Sequence, residues 1–298
     1  MEYFILIKIN FSSVENILKK ININHVIFSY KNTKFMIKMD SKTIIVYLKY
    51  KDNESWGGRE LLRRGGLLLW AGNDITQFIG LNEPEWDEIV VAEYSEENAY
   101  NQALTHLKEA DMLSYYKVHL VIHFPEAIID RINKMHKALK KKNLERVPIK
   151  EVFSKEQWEA AKKAGTDHLG PTPNQMETLL QRDQNIPVVM LNYLKFRDVA
   201  IYPDDFKGKR YKSGRKAYQK YEQRDSHNNQ VDIVGNYKST IVGEDEPNWK
   251  HYVFVRYPSV KDFIGMIATK SYQASYTQRS AGLENTILLS ITPYDEPY

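Results

Sequence analysis

The chain repeats itself, and the repeat constrains the fold more than any other feature. The string GLNEPEWDEIVVAEY from Gly80 to Tyr94 returns as GEDEPNWKHYVFVRY from Gly243 to Tyr257. At the same offset Gly72 and Asn73 fall on Gly235 and Asn236. Upstream, LKYKD from Leu48 to Asp52 matches LKFRD from Leu194 to Asp198, and Gly58-Arg59 matches Gly214-Arg215. The matches keep their order although the gaps between them differ. So many ordered agreements, a tryptophan among them, point to internal duplication rather than chance, and a repeat must be recognised before any fold is assigned.

Each copy reads as the same string of elements. In the second, Pro187 to Phe196 is apolar at nearly every position, the pattern of a strand buried on both faces. A basic loop follows, then a helix in Gly214–Asn228, where Ala217, Tyr218 and Tyr221 fall at helical spacing. Val231–Val242 reads as a strand, residues 245–248 as a turn, and Trp249–Tyr257 as a further strand. Ser259 caps a helix running to about Ile267, and Thr286–Thr292 closes with a strand. The order is βαββαβ, the split βαβ or ferredoxin-like unit. The first copy gives the same order through Thr43–Tyr50, Gly58–Arg64, Leu67–Ile79, Trp86–Tyr94, Ala99–Leu107 and Val118–Phe124.

The expected fold is therefore α+β. Residues 42–125 form a worn first unit and 186–298 a second, site-bearing one, packed sheet to sheet as an intramolecular dimeric α/β barrel. Strands apolar on both faces need such cover. Residues 1–41 read as an added β-rich arm, with a strand at Tyr3–Ile9, a helix at Ser13–Lys20 and two more strands. Residues 126–185 read as a helical linker, in which Ser154–Gln157 and Thr172–Gln175 have the form of capping boxes.

Composition narrows the chemistry. Among 298 residues there is no cysteine, which removes disulfides, thiolate metal sites and a cysteine nucleophile. The 42 basic and 38 acidic side chains leave a net charge of +4, too small and too dispersed for a nucleic-acid footprint. No apolar run approaches the roughly 20 residues of a membrane helix. The start, with Glu2 and a brief apolar stretch before Lys8, lacks the pattern of a secretory signal, so the cytoplasm is the expected compartment.

Further short runs complete a resemblance. GPTPNQME from Gly170, VVMLNYLKF from Val188, GRKAY from Gly214, RYPS from Arg256 and RSAGL from Arg279, with Val242, Trp249, Tyr272 and Gln273, resemble a bacterial domain-of-unknown-function family, the one numbered 1330. The similarity covers residues 170–293 well and 42–125 as a worn copy. It implies the dimeric α/β-barrel fold. Relatives in that superfamily include cofactor-free monooxygenases, isomerases, cyclases, haem peroxidases and plain ligand binders, so the resemblance selects no reaction.

Candidate site residues concentrate in the second copy. Asn192 interrupts an apolar strand on the face of Val188, Met190 and Leu194; a buried amide without partners costs about 1–3 kcal/mol, so it reads as a hydrogen-bond donor in a pocket or as a structural tie. The first copy has Val46 there. Tyr218, Tyr221, Tyr237 and Tyr272 suit the rim of an apolar pocket for an aromatic or polyketide-like ligand, or ordinary core. Tyr218 and His227 are candidates for proton transfer, and Arg215 and Arg256 for holding an anion. His251 and Arg256 fall on opposite faces of their strand, and Arg256 is preferred. His119 and His123 would lie about 13 Å apart on a strand and cannot share a metal. The loop Lys207–Lys216 carries six cations, as a solvated loop or an anion guide.

The expected activity is that of a small-molecule enzyme, leaning to oxygenation, isomerisation or cyclisation of an organic acid or aromatic in a biosynthetic setting. It would act without metal or nucleotide, as a monomer or homodimer. The alternatives are a non-catalytic ligand binder and a haem protein using one of the histidines. Asp87, Glu88 and Glu93 of the first copy become Lys250, His251 and Arg256 in the second, which predicts charge pairing across the internal axis.

Overall fold

The computed structural model describes the side chains of residues 41–51, 58–80, 85–138, 145–222, 229–244 and 249–294, and the backbone of residue 139 and of three further strands. Those are β1 (Leu6–Lys8), β2 (His25–Tyr30) and β3 (Thr33–Lys38), a separate three-stranded sheet in the order β1-β2-β3. The helix expected at Ser13–Lys20 lies outside the described residues.

Eight longer strands make one closed antiparallel barrel. In the first half these are β4 (Lys42–Tyr50), β5 (Leu67–Ile79), β6 (Glu88–Tyr94) and β7 (Leu113–His123). In the second they are β8 (Val188–Phe196), β9 (Gln230–Val242), β10 (His251–Tyr257) and β11 (Leu283–Pro293). The order around the barrel is β10-β8-β11-β5-β6-β4-β7-β9, with β9 returning to β10. Within each half the first strand lies between the third and the fourth, and the second strand stands beyond the third.

The halves do not merely face each other. They are hydrogen-bonded along both seams, β11 to β5 and β7 to β9. Each seam carries two register shifts, where the extra residue bends the sheet around the corner. Closure leaves no open barrel edge for another chain to pair with.

Alternation divides the side chains between lumen and helices. On β4, Ile45 and Tyr47 point inward; on β8, Val189, Leu191 and Tyr193 do so. They meet Trp70, Trp86, Trp249, Tyr252 and Phe254 in a packed lumen. An eight-stranded barrel is just wide enough for side chains to fill it. The opposite residues, Ile44, Val46 and Leu48 in the first half and Val188, Met190 and Leu194 in the second, pack outward under helices. Near-continuous apolarity in these strands has this cause.

The helices are α1 (Gly58–Arg63), α2 (Glu97–Glu109), α3 (Glu126–Leu139), α4 (Lys155–Lys163), α5 (Pro173–Gln181), α6 (Gly214–Glu222), α7 (Val260–Ile267) and α8 (Lys270–Gly282). Both expected capping boxes form, at Ser154 and Thr172, and Ser259 caps α7. Helix α8 is an addition to the sequence reading. So is the role of the connecting segment: Val152, Leu169, Met176 and Leu179 belong to the core of the second half. Among the described residues no helix is long and apolar enough to cross a membrane.

The cross-axis charge pairing is corrected. Asp87 pairs with Lys49 and Glu88 with Arg59 inside the first half, while Glu93 lies 3.6 Å from His123. Arg256 pairs with Asp232 inside the second half at 2.8 Å. The seams are tied elsewhere. The Arg182 side chain, just past α5, donates to the Asp74 carbonyl, the Thr76 hydroxyl, the Asp74 carboxylate and the Thr292 hydroxyl at 2.6–2.9 Å. Asp74 and Thr76 are on β5 and Thr292 on β11, so one guanidinium clamps both strands of a seam. Charge-assisted bonds of this kind predict that Arg182→Met lowers stability by about 2–3 kcal/mol, read from the urea midpoint, without altering far-UV circular dichroism.

Candidate functional site

A cavity of about 290 Å³ opens between the outer face of the second half and its helices. Its floor is strand: Met190, Asn192 and Leu194 from β8, His251, Val253 and Val255 from β10. Arg215, Tyr218 and Tyr221 come from α6, Tyr272 and Arg279 from α8, and Phe263 and Met266 from α7. The connecting helix α3 closes the remaining side with Ile132, Met135 and His136. This helix is held against β9 by Asn133, whose amide donates to the Val231 carbonyl and accepts from the Val231 N–H, as a neighbouring strand would.

Glycine sets how closely the helical walls approach. A Cβ on Gly214 would lie 2.3 Å from the Arg197 carbonyl and 2.5 Å from that of Gly282; one on Gly282 would lie 2.6 Å from the Gly214 carbonyl. The two residues therefore let α6 and the end of α8 touch backbone to backbone. That contact brings Tyr218 and Tyr221 beside Tyr272, with ring centroids 5.3 and 5.8 Å apart in sequence along the wall.

Ring contacts continue in both directions. Tyr218 meets Phe196 at 5.2 Å and Phe196 meets His251 at 5.4 Å. At the other end Tyr272 meets Tyr276 at 6.0 Å, and the Arg279 guanidinium lies 5.6 Å from the Tyr276 ring. An unbroken aromatic wall thus leads from an imidazole to a guanidinium.

Arg279 is the unusual member. It is 3% exposed, and among the described residues no carboxylate pairs with it. Its Nη1 donates to the Leu169 carbonyl, while Nη2 has no hydrogen-bond partner. Burial works against its charge, but the hydroxyls of Tyr276, Tyr272, Tyr221 and Tyr218 outweigh it and hold its pKa above the ordinary value. Arg279 therefore stays a cation inside an aromatic wall, an arrangement that favours an anion brought from outside.

Five of the sequence candidates come together here: Asn192, Arg215, Tyr218, Tyr221 and Tyr272. The Asn192 Nδ2 already donates to the Met190 carbonyl two residues back, so part of its donor capacity ties its own strand. Arg215 is engaged with Glu222 at 3.3 Å and stacks 4.8 Å over Phe196. Two candidates lie elsewhere. Tyr237 points into the lumen, 5.3 Å from the His119 ring, with its hydroxyl 2.8 Å from Thr240. Arg256 shares the parity of Tyr252 and Phe254, the lumen residues, and its guanidinium is taken up by Asp232. His227 lies outside the described residues.

The sequence reading missed His136, His251 and Arg279 as cavity residues. Strand parity could have found His251, because Val253 and Val255 share its face. The basic loop folds on itself: Arg210 Nη2 donates to the carbonyls of Pro203, Asp204 and Phe206.

Comparison with family models gives no match, and comparison with the curated proteins gives none either. Similar solved structures include the following. A protein of unknown function from Rhodopseudomonas palustris is 26% identical over 43% of this chain and 98% of its own, with a TM-score of 0.39. A candidate monooxygenase from Lactobacillus acidophilus is 11% identical over 85% of this chain and 94% of its own, with a TM-score of 0.37.

The Gly214–Gly282 contact carries a prediction. Gly214→Ala should force α6 off the sheet, cost about 1–3 kcal/mol and weaken the near-ultraviolet tyrosine signal, since backbone atoms cannot give way as a flexible side chain would.

Proposed function

We infer that the protein is an internally duplicated α/β barrel of two ferredoxin-like units, related to the family numbered 1330. Its second half binds a small organic anion with an aromatic or otherwise flat apolar body, and transforms it by proton transfer between positioned side chains. The identical strand order in the two halves supports the duplication, as does the agreement between repeat positions and strand register. The observation that carries the ligand class is Arg279, a buried cation with an unmatched Nη2 and no acidic partner among the described residues.

Burying a charge without a partner is costly, and a carboxylate arriving beside it returns charge-assisted hydrogen bonds in a medium of low dielectric. The tyrosines offer ring faces to a flat ligand. His251, His136, Glu222 and Tyr218 are among the cavity groups able to exchange a proton with it. At about 290 Å³ the cavity lies at the small end of the range for drug-sized ligands, roughly 300–1,000 Å³, which suits a mono- or bicyclic acid better than a tetrapyrrole. Protein purified from cells should accordingly show no Soret band. A Soret band that persists through gel filtration would replace this reading with the haem one.

The decisive test compares binding with stability. Benzoate and 2-naphthoate should bind the wild-type chain in calorimetry, and their methyl esters should not. Arg279→Met should weaken binding by about 3 kcal/mol, or two orders of magnitude, the loss expected when one member of a buried charge pair is removed. In the absence of ligand the same variant should be at least as stable as wild type, because an uncompensated buried charge has gone and Tyr276 still donates to the Leu169 carbonyl. A variant that loses stability while keeping carboxylate affinity would make Arg279 a structural residue and remove this proposal.

A further inference from the structure

The anion-binding reading specifies one end of a ligand. The first half of the chain supplies a template for the other end, whose assignment rests on that same reading. The repeat sets Tyr50, Arg59 and Glu88 on Phe196, Arg215 and His251. Strand register agrees: Leu48 faces Glu88 across β4 and β6 as Leu194 faces His251 across β8 and β10.

In the first half this place is filled. Tyr294, which follows β11, lays its ring 4.0 Å from the Arg59 guanidinium and donates its hydroxyl to Glu88 at 3.0 Å. Tyr50 donates to the other Glu88 oxygen, and Arg59 Nε lies 3.2 Å from the carboxylate. Glu88 is 1% exposed and has three donors around it.

The second half changes each part. Phe196 has no hydroxyl to give, and His251 replaces the carboxylate. The structural counterpart of Tyr294 is Phe124, since each follows the closing strand of one half and donates its N–H across the seam, Tyr294 to Ala71 and Phe124 to Val234. Phe124 brings a ring without a hydroxyl, and it lines the open cavity together with Leu194, Arg215 and His251.

We propose that the cavity takes a hydroxyaryl carboxylate, its phenol ring packed beside Phe124 and Arg215, its hydroxyl directed to His251 and its carboxylate held by Arg279. Imidazole is a stronger base than the carboxylate it replaces, so His251 can do what Glu88 cannot. It takes the phenolic proton: the O–H bond breaks, an N–H bond forms, and phenolate and imidazolium remain as an ion pair. Arg215 beside the ring is already paired with Glu222, which also lines the cavity, so the ionisation depends on His251. A phenolate is the activated form for attack through ring carbon or oxygen, which makes His251 the catalytic base of the transformation.

The probe is 4-hydroxy-3-nitrobenzoate, whose phenolate absorbs in the visible, with the 4-methoxy analogue as control. Bound to the full-length wild-type protein, its phenol should ionise about one pH unit below the free compound. His251→Gln should bind it within a few-fold of wild type and abolish the shift. Phe124→Tyr, which gives the second half the ring of the first, should weaken it about tenfold by offering His251 a hydroxyl from the chain. If the probe binds with its ionisation unmoved, if the shift survives in His251→Gln, or if Phe124→Tyr leaves affinity unchanged, the phenol assignment falls and the anion site stands. If neither the probe nor benzoate binds, both fall.

Discussion

Closure of the barrel decides where a ligand can go. Eight strands joined at two seams enclose a lumen that aromatic residues from both halves fill, with Tyr47 and Tyr193 hydrogen-bonded to each other at 2.6 Å across it. His119 bonds to the same Tyr193 hydroxyl at 2.9 Å. A lumen packed in this way holds the halves in one register, because slipping a strand by one residue would turn its inward set outward. The cavity of the second half lies outside the barrel wall, between strand and helix. That space is set by the helices, which can differ between the halves while the strands stay alike.

The two halves have used this freedom in opposite ways. The first closes its outer face with small helices, Val46 at the position of Asn192, and a carboxylate saturated by Tyr50, Tyr294 and Arg59. Burial pushes the Glu88 pKa up, and the bonds from Tyr50 and Tyr294 and the charge of Arg59 oppose that rise. The second half keeps the frame but replaces the hydroxyl-bearing rings at two positions with phenylalanines. It adds a third helical wall from the connecting segment and places a cation in the fourth. One half has become packing, and the other retains a chamber.

Much of this was legible in the sequence, and the failures have physical causes. The repeat gave strand order and boundaries, because Trp, Gly and Pro at matching offsets mark turns and lumen positions that the fold cannot move. Period-two patterning located Asn192 on the right face. Helix α8 was invisible because its buried side bears Tyr272, Gln278 and Arg279 rather than aliphatic residues, so no apolar stripe forms. The residues that make the site are the ones that break the pattern by which helices are recognised. The sequence favours Arg256 over His251 because a guanidinium suits a carboxylate, yet nothing local says that Asp232, on the next strand, takes it up. The connecting segment looked like a linker because the surface it covers comes from strands far away in sequence.

Arg279 connects these observations. A cation this deeply buried opposes folding unless something in the native state compensates it. The chain provides one carbonyl and a ring of phenols, and among the described residues no carboxylate joins Arg279 as one joins each of Arg182, Arg215 and Arg256. A residue chosen for packing would fit better as methionine or leucine, and one chosen for an internal ion pair would have its acid nearby. Arg279 is one of several buried polar groups left unmatched, and the proposed anion site rests on its uncompensated charge.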